Sequence, residues 1–267
     1  MQFQLTLQAI QPQSRIPFNY SYLLTGWLYR VLAGADAQYA TFLHERGCQA
    51  TARGTGRPKT FRLFCFSDLR MQDYEVRPRE GCFLLRSPGI EWTLSFYVDR
   101  AAEAFIRGLF QDQRVVLSNR WMTTELTIEQ VQTIPVAVHT DEVHVRTRSP
   151  VVVAQKDAAG MDQYLSPADP VFGQLLLLNL VDKYRSVHPD GAAVRPEGLE
   201  FRLLTDPSRI RSRLIAIKEG SPQETKVRGY YGFDFTLRGP AEVLEVGLLA
   251  GVGRYNAEGF GCVRITR

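Results

Sequence analysis

The sequence predicts an α+β protein made of two tandem domains with the element order of a ferredoxin-like fold. Apolar and polar residues alternate at the start of the chain, which is typical of a half-buried strand. Strands and helices then follow in the order strand, helix, strands, helix, strand, and the second half repeats this order. The length of 267 residues fits two modest domains, although one large α+β domain has the same element order.

The elements of the first half follow from local patterns. Alternate residues from Phe3 to Ala9 are apolar, which indicates the first strand. Helical spacing of apolar residues predicts a helix from about 20 to 32, which we expect Gly34 to interrupt. Asp36 is expected to cap a short second helix that ends at Gly47, and a polar loop follows. The remaining predicted elements are strands at 59–67, 82–87, 92–98 and 114–128 and a helix at 99–110.

The second half begins near Pro135, so the predicted domains are residues 1–132 and 133–267. Its predicted strands lie at 136–153, 198–204, 214–218, 226–237 and 262–266. A helix is predicted from Pro170 to Val187, and Gly239 with Pro240 is expected to start another helix that runs to Ala250.

Composition excludes several classes of protein. Lys and Arg exceed Asp and Glu by 32 − 28 = 4, a mildly basic balance that is compatible with a polyanionic partner. The longest apolar run is far shorter than a bilayer requires, and the start lacks a secretory-signal pattern, so we expect a soluble, cytoplasmic protein. The four cysteines have no C-x-x-C spacing, and we predict neither a metal site nor a cofactor.

The most specific motif is a glycine-rich tail of the form G-x-G-x5-G-F-G. Its glycines are Gly251, Gly253, Gly259 and Gly261. Such glycines let a backbone approach a phosphate closely or adopt positive φ. No Lys-Ser/Thr pair follows, and the motif lies between a helix and a strand, which excludes a Walker loop and a dinucleotide fingerprint. On its own, such a turn is more often structural than functional.

The tail belongs to a wider pattern that resembles a known family. The matching segments are 226–230, 233–237, 248–253 and 259–261, then 148–150, 164–169 and 179–184, and more loosely Pro17, Tyr29, 42–47 and 64–69. This pattern is similar to the CRISPR repeat-cleaving endoribonucleases, the sixth family of CRISPR-associated (Cas) proteins. It covers nearly the whole chain.

The resemblance implies two ferredoxin-like domains of the RNA-recognition type, packed side by side. It implies cleavage of CRISPR precursor RNA within each repeat, without metal, to give mature crRNA. In that chemistry a 2′-hydroxyl attacks the adjacent phosphate and leaves a 2′,3′-cyclic phosphate and a 5′-hydroxyl. The implied partner is the repeat RNA. Other Cas proteins of an interference complex and a second copy of the chain are further candidate partners, which the sequence leaves open. Two alternatives stay open: a subunit that binds the repeat without cutting it, and an unrelated RNA-recognition module.

His44 is the first candidate catalytic residue. Transesterification of RNA requires a base, an acid and a cation, and histidine has an ordinary pKa of about 6.5, which suits proton transfer near neutrality. His44 lies at a predicted helix end beside a polar loop, where it could also simply interact with the helix dipole. The resemblance favours the catalytic role. His139, His144 and His188 are expected to be structural or solvated.

Tyr29 and Lys59 are the other candidate catalytic residues. The resemblance implies that a tyrosine of the first helix assists proton transfer, although Tyr29 could equally be a core residue. Because Gly34 is expected to break the helix, the sequence does not place Tyr29 and His44 on one face. Lys59 is the candidate cation for the phosphate, in competition with Arg46, Arg53 and Arg57, and it could also be a solvated loop charge.

Two basic stretches, 44–80 and 195–228, are candidate RNA-binding surfaces. The predicted RNA-binding residues are Arg53, Arg57, Arg211, Arg213, Lys226 and Arg228, together with the four glycines of the tail. Lys226, Arg228 and Tyr230 are expected to share one strand face, which would present phosphate and base contacts. A solvated sheet face has the same pattern.

Overall fold

A computed structural model of the chain describes residues 1–50, 59–188, 194–217, 219 and 222–266. The strands of the first half are β1 (Gln2–Ala9), β2 (Arg15–Pro17), β3 (Cys48–Ala50), β4 (Lys59–Phe61), β5 (Phe64–Phe66), β6 (Arg70–Met71), β7 (Tyr74–Arg77), β8 (Cys82–Leu85), β9 (Gly89–Phe96), β10 (Arg114–Ser118) and β11 (Thr123–Ile134). Its helices are α1 (Tyr20–Ala35), α2 (Ala37–Glu45) and α3 (Asp99–Leu109).

The strands of the second half are β12 (Glu142–Thr147), β13 (Ala154–Lys156), β14 (Asp162–Tyr164), β15 (Glu200–Leu203), β16 (Arg211–Ile217), β17 (Thr225–Tyr231), β18 (Asp234–Arg238) and β19 (Val263–Ile265). Its α-helices are α4 (Pro170–Val187) and α5 (Ala241–Ala250), and short 3-10 turns lie at Pro196–Gly198, Pro207–Arg209 and Asn256–Glu258.

Two antiparallel sheets form the centres of the two domains. The first has the order β10-β11-β1-β9-β5, with β6 also beside β9, and the second has the order β15-β18-β12-β19. In each domain the first and third core strands are neighbours in the middle and a helix follows each of them, as in a ferredoxin-like fold. The prediction of two tandem ferredoxin-like domains is confirmed. Each domain has its own apolar core.

The prediction that Gly34 interrupts the first helix is wrong. Helix α1 continues through Gly34 to Ala35, and the chain turns at Asp36, whose φ of −154° is not helical. The Asp36 carboxylate accepts a hydrogen bond from the Tyr39 backbone N–H at 2.9 Å and so caps α2 as expected. A glycine inside a helix costs only about 1 kcal/mol, which packing of α1 against α3 offsets.

Several predicted strands are interrupted where the backbone turns. The stretch 59–67 divides into β4 and β5 at Leu63, which has a positive φ of 52°. Gly232, with φ of 76°, separates β17 from β18. Strand β11 extends to Ile134, two residues beyond the predicted domain boundary. Helix α4 has the predicted bounds because Asp169 caps it and Pro170 starts it.

Within the described ranges, no helix has both the length and the apolarity that crossing a membrane requires.

Candidate active site and RNA-binding surfaces

The turn at Asp36 brings Tyr29 of α1 and His44 of α2 together. Their ring centroids are 5.4 Å apart and the ring planes meet at 82°, an edge-to-face contact. His44 is exposed at the end of α2, whereas Tyr29 is largely buried and packs against Phe64 of β5. The two candidates therefore form one cluster, with the imidazole on the solvent side.

Arg62 is the cation beside this pair, and the sequence reasoning missed it. Its Nη2 donates a hydrogen bond to the His44 carbonyl oxygen at 3.0 Å. Burial raises the pKa of Tyr29, and the nearby Arg62 guanidinium acts against this rise. Tyr29 consequently keeps its proton at neutral pH and can donate a hydrogen bond. The backbone turn at Leu63 places Arg62 here, and no pattern in the sequence indicated that turn.

Lys59 points to the second domain. Its Nζ lies 2.7 Å from Oδ2 of Asp182 on α4, whose side chain is only 6% exposed. Lys59 and Arg62 line the same cavity between the domains, but of these two cations it is Arg62 that donates a hydrogen bond to His44. The other predicted loop cations, Arg53 and Arg57, lie outside the described residues.

The glycine-rich tail is buried and held by hydrogen bonds. Its glycines have positive φ: 81° at Gly251, 71° at Gly253, 89° at Gly259 and 72° at Gly261. The ammonium of Lys183 on α4 is fully buried and donates to Gly251 O at 2.6 Å, Gly253 O at 2.9 Å and Asn256 Oδ1 at 2.6 Å. The Asn256 amide in turn donates to Val252 O and Phe260 O, both at 3.0 Å.

These contacts give the tail a packing role, while its predicted RNA contact stays a prediction. A Cβ at Gly261 would lie 2.0 Å from Val252 O, and one at Gly259 would lie 2.6 Å from the Phe66 ring in the other domain. Glycine is therefore required here by close packing. Lys183 was missed because its acceptors are mostly backbone carbonyls, which a sequence does not reveal.

The basic hairpin β16–β17 divides its cations between two faces. The register pairs Arg213 with Gly229 and Leu214 with Arg228. Arg228 and Lys226 therefore share one face with Tyr230, as expected, whereas Arg211 and Arg213 lie on the opposite face. Arg213 forms an ion pair with Asp68 of the first domain. Burial raises the pKa of Asp68, and Arg213 opposes this rise.

The remaining histidines lie elsewhere. His188 Nε2 is 2.7 Å from the Tyr97 hydroxyl oxygen, and the His188 ring stacks on Tyr184. His144 lies 3.2 Å from the Glu142 carboxylate on the solvent-exposed face of β12. In the part of the chain that the structure describes, no three His, Cys, Asp or Glu side chains are grouped closely enough to hold a metal ion.

Two family models together cover nearly the whole chain. "CRISPR-associated protein Cas6, N-terminal" matches residues 15–131, and "CRISPR associated protein Cas6, C-terminal" matches residues 132–265. The chain belongs to the Cas6 family. The resemblance that the sequence motifs indicated is thereby confirmed.

Curated and solved relatives agree with this assignment. The CRISPR-associated endoribonuclease Cas6 of Pyrococcus furiosus is 25% identical over 94% of this chain and 84% of its own length. Cas6 1 of Methanocaldococcus jannaschii is 24% identical over 93% of this chain and 86% of its own length. A Cas6-related protein from P. furiosus superposes with a TM-score of 0.82 at 18% identity, covering 100% of this chain and 98% of that one. A RAMP protein that binds different RNA substrates gives a TM-score of 0.78 at 17% identity, with complete coverage of both chains. These superpositions establish the fold.

Proposed function

We propose that this Cas6-family chain is an endoribonuclease that cleaves CRISPR precursor RNA within the repeat to give mature crRNA. The observation that carries the proposal is the contact between Tyr29 and His44, with Arg62 beside them. In this cluster His44 can accept and return a proton and Arg62 supplies a cation, which are the functions that RNA transesterification requires. Curated relatives named CRISPR-associated endoribonucleases support the substrate class, as does a solved Cas6 product complex with a TM-score of 0.64.

The proposed reaction is attack of a ribose 2′-oxygen on the adjacent phosphorus. The O2′–P bond forms while the P–O5′ bond breaks, so the products are a 2′,3′-cyclic phosphate and a 5′-hydroxyl. Exposed His44 takes the proton of the 2′-hydroxyl as general base and then, as general acid, gives that proton to the leaving 5′-oxygen. Tyr29 stays protonated because burial raises its pKa, and its ring positions the His44 imidazole through their edge-to-face contact.

Arg62 is the proposed cation for the developing charge on the phosphate. Its guanidinium has several N–H groups in a planar fork that suits phosphate oxygens, and one of them already fixes it to the His44 carbonyl. Lys59 remains a candidate, although its ammonium is paired with Asp182. In this proposal no metal ion takes part in the reaction.

The RNA is proposed to lie across both domains, from the His44 cluster to the β16–β17 hairpin. Asn19, at the start of α1, donates a hydrogen bond to Ala216 O at 2.8 Å, so the hairpin and the first domain are in contact. Contacts with other Cas proteins and with a second copy of the chain stay predictions.

The deciding experiment is cleavage of a labelled CRISPR repeat RNA in excess EDTA. We expect the wild type to cut at one position and to leave a 2′,3′-cyclic phosphate. His44→Ala should lower the cleavage rate by about 10²–10⁴-fold, and a single 2′-deoxy nucleotide at the cut should abolish cleavage. Both changes should leave RNA binding unchanged.

The outcomes separate the alternatives. Binding without cleavage by the wild type would favour a repeat-binding subunit. Cleavage that EDTA abolishes would reject the metal-independent mechanism but not the nuclease. Equal rates for the wild type and His44→Ala would remove His44 from the mechanism.

A further inference from the structure

A cavity of about 440 Å³ lies between the two domains. One side comes from β4 and the two residues that follow it, which include Arg62, and the other comes from α4 and the glycine-rich tail. The volume lies within the range of about 300–1,000 Å³ that is typical of small-ligand pockets. No step of the proposed reaction uses the α4 side of this cavity.

The cavity adjoins the His44 cluster. Arg62 lines it and also donates a hydrogen bond to the His44 carbonyl oxygen at 3.0 Å. Glu258 of the tail lines it too and lies close enough to Tyr29 to influence that hydroxyl. A group held in the cavity would therefore sit beside the reacting atoms.

The lining combines three kinds of chemistry. Half-buried Leu175 and Leu178 of α4 form an apolar wall. Asn179 adds an amide whose Oδ1 is buried and meets no hydrogen-bond donor among the described residues. Lys59 and Arg254 add positive charge, and their side chains stay 60% and 39% exposed although each has a carboxylate partner.

A nucleotide matches this combination better than other ligands. The flat faces of a base suit an apolar wall, its edge offers donors and acceptors to an amide, and its phosphate suits the cations. An apolar ligand would leave the cations unused. An unpaired base is the form in which RNA offers both its faces and its edge.

We propose that this cavity receives the base of one unpaired nucleotide that flanks the scissile phosphate, with Leu178 and Asn179 as specificity-determining residues. The inference rests on the proposed endoribonuclease function, because it takes the His44 cluster as the cutting site. Binding the base there would fix the adjacent phosphate next to His44 and so help to select the position of the cut.

The test measures RNA affinity and asks whether a substitution in the cavity and the removal of one base from the RNA affect the same contact. All proteins carry His44→Ala so that the RNA stays intact, and the repeat RNAs carry one abasic nucleotide each, moved along the repeat. Leu178→Trp fills the cavity. Gln174→Trp, one turn earlier on α4 and exposed outside this cavity, is the matched control.

One abasic position next to the cut should lower the affinity of the reference protein and of Gln174→Trp by about 5- to 100-fold, the size expected for one stacked base. Leu178→Trp should bind intact RNA about 5- to 100-fold more weakly than the reference protein does, because its indole excludes the base. For the same reason, its affinity should not fall further when that nucleotide is abasic. The proposal is overturned if Leu178→Trp and the abasic nucleotide together lower the affinity by the product of their separate effects. It is also overturned if the position at which an abasic nucleotide weakens binding lies far from the cut.

Asn179→Leu provides an independent variant of similar volume. We expect it to bind the four bases at that position with nearly equal affinity, whereas the reference protein prefers a base that satisfies the amide. An unchanged preference would reject the role of Asn179.

Because the readout is affinity for uncut RNA, failure of the two proposals can be told apart. If the unmutated protein does not cleave the RNA but the cavity variant and the abasic nucleotide still show coupled effects on affinity, only the nuclease proposal is rejected. Cleavage with no coupling would reject only the base pocket, and absence of repeat binding would reject both.

Discussion

The His44 cluster and the glycine-rich tail lie close together in this molecule and use their polar groups in opposite ways. His44 is exposed, and the folded chain leaves its ring beside Tyr29 with solvent on one side. In the tail, the three N–H bonds of the Lys183 ammonium meet three oxygens, and the Asn256 amide is fully used. Groups whose hydrogen-bonding capacity is already used stabilise the fold, whereas groups left open are available to a substrate.

After the loss expected for His44→Ala, the largest effect should come from the cation beside His44. Arg62→Gln should lower the single-turnover cleavage rate by about 10²–10³-fold, the usual loss when one preorganised donor to a developing charge is removed. Lys59→Gln, on the same cavity wall, should change the rate much less because its ammonium is engaged by Asp182. The opposite order of effects would assign the phosphate to Lys59.

The next effect is on stability and concerns the tail. Gly261→Ala should lower the free energy of unfolding by about 3 kcal/mol, since a side chain is unfavourable at positive φ and its Cβ would lie 2.0 Å from Val252 O. Gly160→Ala is the matched control, because Gly160 has φ of 77° with open space around it. It should cost about 1 kcal/mol. Equal losses in urea denaturation would mean that the tail can relax.

The third effect is a pH dependence of stability from Lys183. Burial lowers the pKa of Lys183 to about 7, so above pH 7 the unfolded chain holds more protons at this residue than the folded chain does. Stability should therefore rise with pH in this range, by up to about 2 kcal/mol between pH 7 and 9. The difference in unfolding free energy between the wild type and Lys183→Met should follow that slope. A flat difference would mean that the three oxygen acceptors hold the lysine charged.

The smallest effect should distinguish the two faces of the hairpin. Lys226→Gln and Arg228→Gln should each weaken RNA binding a few-fold, and each should reduce the slope of log affinity against log salt by about 0.7 for one lost phosphate contact. Arg211→Gln, on the opposite face, should have less effect if one RNA strand follows the Tyr230 face. Equal changes from all three would indicate RNA on both faces.

Much of the fold follows from local sequence signals, and the site follows only in part. Helix α4 has the predicted bounds, Pro170–Val187, and the repeated element order predicted the tandem domains. His44 was proposed from its chemistry together with the resemblance, and Tyr29 from the resemblance, and their catalytic roles stay predictions. Their contact was not predicted, because it depends on where the chain turns. Helix α1 continues through Gly34, and the chain turns only at Asp36, directly after the helix ends.

Arg62 and Lys183 show why the rest was out of reach. Arg62 reaches the site because the backbone turns at Leu63, which has a positive φ. Leucine rarely adopts this conformation, so the sequence gives no indication of the turn. Lys183 is held by backbone carbonyls about 70 residues further along the chain, which approach it only when α4 packs against the tail within the second domain. Both depend on tertiary contacts between segments far apart in the chain.

The contact between strand β5 and the glycine-rich tail also affects how such a chain can change over evolutionary time. Gly259 lies against the Phe66 ring and Gly251 against the Cys65 side chain, although the two segments belong to different domains. The halves resemble separate modules in topology, yet we expect the exchange of one half alone for that of a distant relative to disturb these close contacts. A substitution in β5 and its accommodation in the last turn of the chain have to be inherited together.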